Sequence, residues 1–341
     1  MKFAKTTLIF SLFLTLVACT ETTPSRPATT QSSDTTAHTI DRYVAVSQKI
    51  KEEPNNPALY FERSKVLFDS LELADAMGDI DRALLLDSNN AEFRLHKADI
   101  YYRQNKTRLS KEQLEKILAL DKDNLEANLR MAEIFHIVGN FKKSIEYVNE
   151  VLRIDVYNPT AYYWKGLNYK MIGDTATAVS SFQTAREQNN DFFQAYIQLG
   201  LLYGSVNDDQ AIAYYDNAIR IQPNSYDAHY NKAIYLQENN YPEQALGEYQ
   251  ILIKIGGAKL PQIYHNIGYV NLIYLEDFPA AIEAFDQALA LFPEYIEARH
   301  NRGLTHESMG NAEAAVKDYR MVLKMQPDYT KSALGLERLL D

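Results

Sequence analysis

What this chain has little of already narrows what it can be. It holds one cysteine, Cys19, in 341 residues, so no disulfide can form within it and no pair of thiols exists for metal or redox chemistry. Glycine and proline number only 13 and 11 and fall mostly at regular intervals, as in helices joined by brief turns. The formal net charge is -10, with basic residues dispersed among acidic ones. That excludes the basic surface a nucleic-acid binder needs and leaves no lysine or arginine run to grip an anionic membrane. The catalytic motifs are missing too. No Gly-x-x-x-x-Gly-Lys loop or Gly-x-Ser-x-Gly elbow occurs, and the metalloprotease-like fragment His306-Glu307 has Gly310 where the second histidine belongs. His96, His136, His229, His265, His300 and His306 read as scattered polar residues, a metal site assembled from distant parts of the chain being the alternative. The carboxylates read as solvated helix faces, with no pair standing out as acid and base. Neither a cofactor, a metal nor an enzymatic activity is expected.

What is there is a period. From Pro159 to Phe192, small or apolar residues at Gly166, Tyr169, Gly173, Ala178, Phe182 and Ala185 have helical spacing on either side of a break at Gly173-Asp174. Two short antiparallel helices fit this stretch. Glycine at the break takes positive φ cheaply, and small residues at Gly166 and Ala178 let the helices cross closely. The small residue recurs as Ser64, Ala98, Ala132, Gly166, Gly200, Ala233, Gly268 and Gly303, spaced by 34, 34, 34, 34, 33, 35 and 35. Three more registers keep step. Counting the stretch's first residue as position 1, position 20 runs from Ala76 to Ala315, position 24 from Ile80 to Tyr319 and position 27 from Ala83 to Val322. A single hairpin of this kind cannot bury its own apolar face and needs neighbours stacked against it.

These registers resemble the tetratricopeptide repeat, whose 34-residue helix-turn-helix pattern is small at positions 8 and 20, aromatic near 11 and 24, and often closed by proline at 32, where Pro223, Pro293 and Pro327 stand. The resemblance covers 57–329. It implies an all-α chain, a right-handed solenoid (αα superhelix) of antiparallel helix pairs, with eight repeats at 57–90, 91–124, 125–158, 159–192, 193–225, 226–259, 260–295 and 296–329. Residues 41–56, with Tyr43, Val46 and Ile50 at helical spacing, read as a partial repeat, and 330–341 as a capping helix. The folded part is expected to be one continuous domain. Repeat two is the least regular unit by sequence, since Asn105 replaces the mid-hairpin glycine.

The first 18 residues carry Lys2 and Lys5, an apolar core from Leu8 to Leu14 and then Leu16-Val17-Ala18 before Cys19. This is the pattern of a secretory signal peptide, too short to span a bilayer. Its end resembles a bacterial lipobox, which implies an acylated Cys19 as the mature amino terminus. An ordinary signal peptide cut near Ala18 is the alternative. Removing 1–18 takes the net charge from -10 to -12. Thr20 is not the aspartate that commonly retains such lipoproteins at the inner membrane, so the resemblance favours the outer membrane. Residues 19–40, threonine-rich with Pro24 and Pro27, read as a flexible tether with a reach of roughly 25 Å.

Function is then expected on a surface. In tetratricopeptide folds the first helix of each repeat lines the concave side, with positions 2, 5, 9, 12 and 13 facing the groove. By that resemblance Tyr163, Tyr230, His265 and His300 (position 5), Ile234 and Tyr269 (position 9) and Trp164 (position 6) are candidate partner contacts. Side chains at positions 5 and 9 can alternatively pack inside the hairpin. Asn231, Asn266 and Asn301 share position 6 and are spaced by 35 residues. In long members of the family asparagines there form a ladder, and an amide offers both a donor and an acceptor to a peptide unit. The alternative is that they bind only local water. The expected function is a lipid-anchored, non-catalytic scaffold for protein partners of the bacterial cell envelope, bound as extended segments. Carbohydrate capture at the cell surface by some of the 24 tyrosines is the rival reading.

Overall fold

The computed structural model describes residues 33–340, and side chains from residue 41 on. Cys19, the expected signal peptide and most of the expected tether lie outside the described residues. Among the described residues there is no strand. The described residues divide into two compact units, with the division between 89 and 90, where the sequence suggested one continuous domain. Each hairpin of a repeat array relies on its immediate neighbours alone, so the 34-residue period carries no mark of such a seam.

The first unit comprises α1 (Ser33–Glu52), α2 (Pro57–Asp69) and α3 (Leu73–Leu86). Helix α1 begins within the stretch read as tether, where Ser33-Asp34 has the composition of a helix start. Val46 and Ile50 on α1 are buried with Leu59 of α2, and a bidentate Arg63–Asp79 pair ties α2 to α3 with both bonds at 2.6 Å.

The second unit holds seven hairpins and a closing helix. The hairpins are α4 (Ala91–Arg103) with α5 (Thr107–Leu120), α6 (Leu125–Ile137) with α7 (Phe141–Ile154), α8 (Pro159–Ile172) with α9 (Thr175–Gln188), α10 (Phe193–Gly204) with α11 (Gln210–Ile221), α12 (Tyr226–Glu238) with α13 (Pro242–Lys254), α14 (Pro261–Val270) with α15 (Phe278–Leu291), and α16 (Ile296–Ser308) with α17 (Ala312–Met325). Helix α18 (Thr330–Leu340) closes the series against α17. Every residue named above for positions 8, 20, 24 and 27 is buried. Asparagine caps start four of the first helices. Asn56, Asn90, Asn124 and Asn158 stand 34 residues apart, and each side chain accepts an N–H from the first turn.

Every hairpin turns through one left-handed residue: Leu71, Asn105, Gly139, Gly173, Asn207, Asn240, Glu276 and Gly310, with φ between 54° and 88°. Repeat two, irregular by sequence, therefore turns like its neighbours, because Asn105 adopts φ 58°. Repeat seven carries one extra residue between Gly268 and its turn. A π-helical turn over Asn271–Leu275 absorbs it and keeps Ala281 and Phe285 in the core.

Candidate functional site

The expected contacts divide when they are placed. Tyr163 and Trp164 are only 6% and 5% exposed. Tyr163 packs on Phe182 at 5.8 Å and Phe192 at 5.4 Å, while Trp164 meets His136 at 5.3 Å. Both serve the hairpin interior, and they are withdrawn from the partner surface. His300 is withdrawn as well. It is buried against Tyr319 and Tyr329, and its Nδ1 lies 2.9 Å from Ser332 Oγ, which fastens α18 to repeat eight. Burial and the nearby Lys331 and Arg338 charges lower its pKa to about 4. Tyr163 and His300 lie against the position-24 rings Phe182 and Tyr319, whereas Trp164 packs back on His136 of the preceding repeat.

Half-buried side chains on the first helices of repeats six to eight make a connected strip. On α12, Tyr230 stacks on Tyr226 at 5.7 Å, with Asn231 and Ile234 beside them. On α14, His265 lies 5.1 Å from Tyr295 and 6.5 Å from Tyr269, which in turn meets Tyr274. Asn301 of α16 reaches across to His265, its Nδ2 donating to Nε2 at 3.1 Å. That bond leaves the proton of a neutral His265 on Nδ1, which donates to Asn266 Oδ1 at 3.3 Å. Burial lowers the His265 pKa and favours this neutral ring. Asn266 also lies beside the Tyr249 hydroxyl, which donates to Gln237 Oε1 at 2.8 Å.

The three asparagines are thus not equivalent rungs. Asn266 is consumed by this relay. Asn301 spends its amide N–H on His265 and keeps its carbonyl, and Asn231 makes no side-chain hydrogen bond to the described residues. No periodic pattern marks the relay, because its links join different registers of three repeats.

Two other polar features went unnoticed in the sequence. In repeats two and three, Arg130 lies 3.2 Å from Asp99 and 3.3 Å from both Glu126 and Glu133. Burial raises the Asp99 carboxyl to about 6, against the lowering effect of Arg130. Between repeats three and four, Asn168 bonds His136 Nδ1, Ser144 Oγ and the Trp164 carbonyl inside the core. The Asn168 bonds satisfy buried polar groups, whereas Arg130 Nε is buried with charge partners but no hydrogen bond among the described residues. Among the described residues no group of three His, Cys, Asp or Glu is placed to hold a metal ion.

Comparison with known proteins fits this geometry. Three tetratricopeptide repeat models match, one over 95–159 and 271–330, one over 193–225 and one over 160–189, together more than half of the chain. No curated protein matches significantly. Among solved structures, the C-terminal part of a TPR repeat-containing protein from Cytophaga hutchinsonii superposes with a TM-score of 0.62 at 15% identity, covering 71% of this chain and 99% of that one. A tetratricopeptide repeat protein from Parabacteroides merdae gives 0.48 at 15% identity, over 74% and 99% of the two chains. MamA gives 0.43 at 22% identity, over 50% and 93%. These likenesses concern the fold.

Proposed function

We propose, from the premise that this chain belongs to the tetratricopeptide repeat family, that it is a non-catalytic scaffold whose first helices in repeats six to eight hold an extended segment of a partner protein. The observation that carries the reading is the half-buried strip of Tyr230, Asn231, Ile234, His265, Tyr269 and Asn301. Aromatic and aliphatic faces alternate there with amide groups that still have hydrogen-bonding capacity. Such a strip grips a peptide by main-chain bonds and side-chain burial together, whatever the exact partner sequence. The sequence pattern at Leu16-Val17-Ala18-Cys19 supports placing the scaffold in the bacterial cell envelope. There an acylated Cys19 would tether it, with the outer membrane favoured by Thr20.

The test follows from the unequal asparagines. Asn231→Ala with Asn301→Ala removes the two amides with remaining capacity and keeps Asn266, at the cost of the single bond from Asn301 to His265. At about 0.5 to 1.5 kcal/mol per hydrogen bond, partner affinity should fall roughly 5- to 150-fold with helix content unchanged. Partner affinity equal to that of the wild type would remove this strip as the binding site.

A further inference from the structure

The strip also carries an unbalanced charge. Asp227 and Glu238 on α12 and Glu297 on α16 are exposed, and none of them forms an ion pair with a described residue. Asp227 and Glu297 occupy the same register position of their repeats. The cations of the same helices are already engaged. Lys232 lies 2.7 Å from Asp216 and 2.6 Å from Glu248, and Arg302 holds Asp318 and Asp286, with Arg299 also beside Asp318. Helix α14 has no lysine or arginine at all. Two of these carboxylates stand within electrostatic reach of aromatic rings, Glu238 of Tyr274 and the buried Tyr249, and Glu297 of His265 and Tyr295.

We propose that this face takes an extended segment bearing lysine or arginine side chains, with Glu238 and Glu297 pairing to the cations and the tyrosine faces covering their stems. This rests on the reading of the strip as a partner site and adds the chemistry of what it holds. A carboxylate beside an aromatic ring attracts a cation twice, by charge and by the ring's negative face. Guanidinium and ammonium stems are long and apolar, so they bury against rings such as Tyr230 and Tyr269 while their heads reach the carboxylates. Asn231 and the Asn301 carbonyl then remain for the peptide units between the cations. An acidic segment would meet three carboxylates here, with the cations of α12 and α16 already engaged and none on α14.

The proposal can be tested on the full-length protein in detergent with three labelled synthetic peptides of about twelve residues, built from alternating serine and a variable residue: arginine, glutamine or glutamate. Fluorescence anisotropy reads the affinities. The arginine peptide should bind tightest and weaken with added salt. Changing Glu238→Gln with Glu297→Gln should lower its affinity by about tenfold and leave the glutamine peptide unaffected. The control Glu283→Gln with Glu313→Gln, on second helices α15 and α17, should change neither. Equal binding of the arginine and glutamine peptides overturns the proposal, and so does a loss in the control as large as in the test variant, which would mean diffuse attraction to an acidic chain. If the arginine and glutamine peptides bind equally and Asn231→Ala with Asn301→Ala abolishes the binding of both, the strip stands as a peptide site and only the charge preference falls. If no peptide responds to either pair of changes, both readings fall.

Discussion

A β-carbon added at Gly166 would stand 2.6 Å from the Phe182 ring, and the same crowding meets Gly200 at Tyr215, Gly268 at Phe285 and Gly303 at Tyr319. Position 8 is serine or alanine in repeats one to three, where position 24 is Ile80, Leu114 or Val148. It is glycine in four of the five repeats where position 24 is a ring, Ala233 with Tyr249 being the exception. The helices cross at a fixed distance, and the two side chains share one volume. Gly166→Ala should therefore cost about 1 to 3 kcal/mol, and adding Phe182→Leu should recover part of it, although each change alone destabilises. Thermal unfolding of the two single variants and the double variant would show this. A strictly additive double variant would mean that the two positions do not share that space. The same ring explains what residue-by-residue reading could not see. Positions 8, 20, 24 and 27 were legible because their burial repeats with the period. Position 5 was not, since it lies on the border between hairpin interior and open face. Tyr163 and His300 are buried against Phe182 and Tyr319, whereas His265, equally close to Phe285 at 5.9 Å, is half-buried with Asn266 and Asn301 at its ring nitrogens.

His300 gives this scale a pH dependence. Its pKa falls from the ordinary 6.5 to about 4 in the folded chain, so the folded state resists a proton that the unfolded chain accepts. The stability it allows is complete above about pH 6.5 and declines as pH falls from there toward 4, by up to about 3 kcal/mol. Asp99, raised from 3.8 to about 6, acts in the opposite direction, since folding gains from its protonation as pH falls through that range. Replacing His300→Gln should flatten the acid-side decline in melting temperature measured between pH 7 and 4.5. An unchanged slope would assign the decline to other groups.

At the scale of the element, the turn matters more than the glycine that usually marks it. Leu71 and Glu276 hold the left-handed conformation at φ 65° and 54° without glycine or asparagine, and Leu71 is largely exposed. For an L-residue this costs about 1 to 2 kcal/mol. Leu71→Gly should raise stability by about 1 kcal/mol, while glycine at the exposed helical Ala213 should lower it by about the same amount. A loss at both positions would show that the leucine side chain contributes packing not evident from its exposure. Helix number and hairpin pairing could be read from the period. The way each hairpin corrects its count could not. Repeat seven absorbs an extra residue before its turn through the π-helical segment, and repeat five closes with one residue fewer between Asn207 and Ala211. An insertion in a sequence shows that a residue must go somewhere, and local hydrogen bonding decides where.

For the whole molecule, a repeat array stands beside a proposed amino-terminal anchor. The array follows from burial at every repeat. The anchor is a proposal from Leu16-Val17-Ala18-Cys19, and Cys19→Ala should abolish both metabolic lipid labelling and membrane association while helix content stays the same. Continued labelling of that variant would place the lipid elsewhere. The central claim is that partners lie along the first helices of repeats six to eight, and site-specific photo-cross-linking in living cells tests it most directly. A photoreactive phenylalanine analogue replacing Tyr269 should capture a partner through one short extended segment, and the same analogue replacing Glu283 on the second helix α15 should capture none. Capture from Glu283 alone, with Tyr269 silent, would contradict the account.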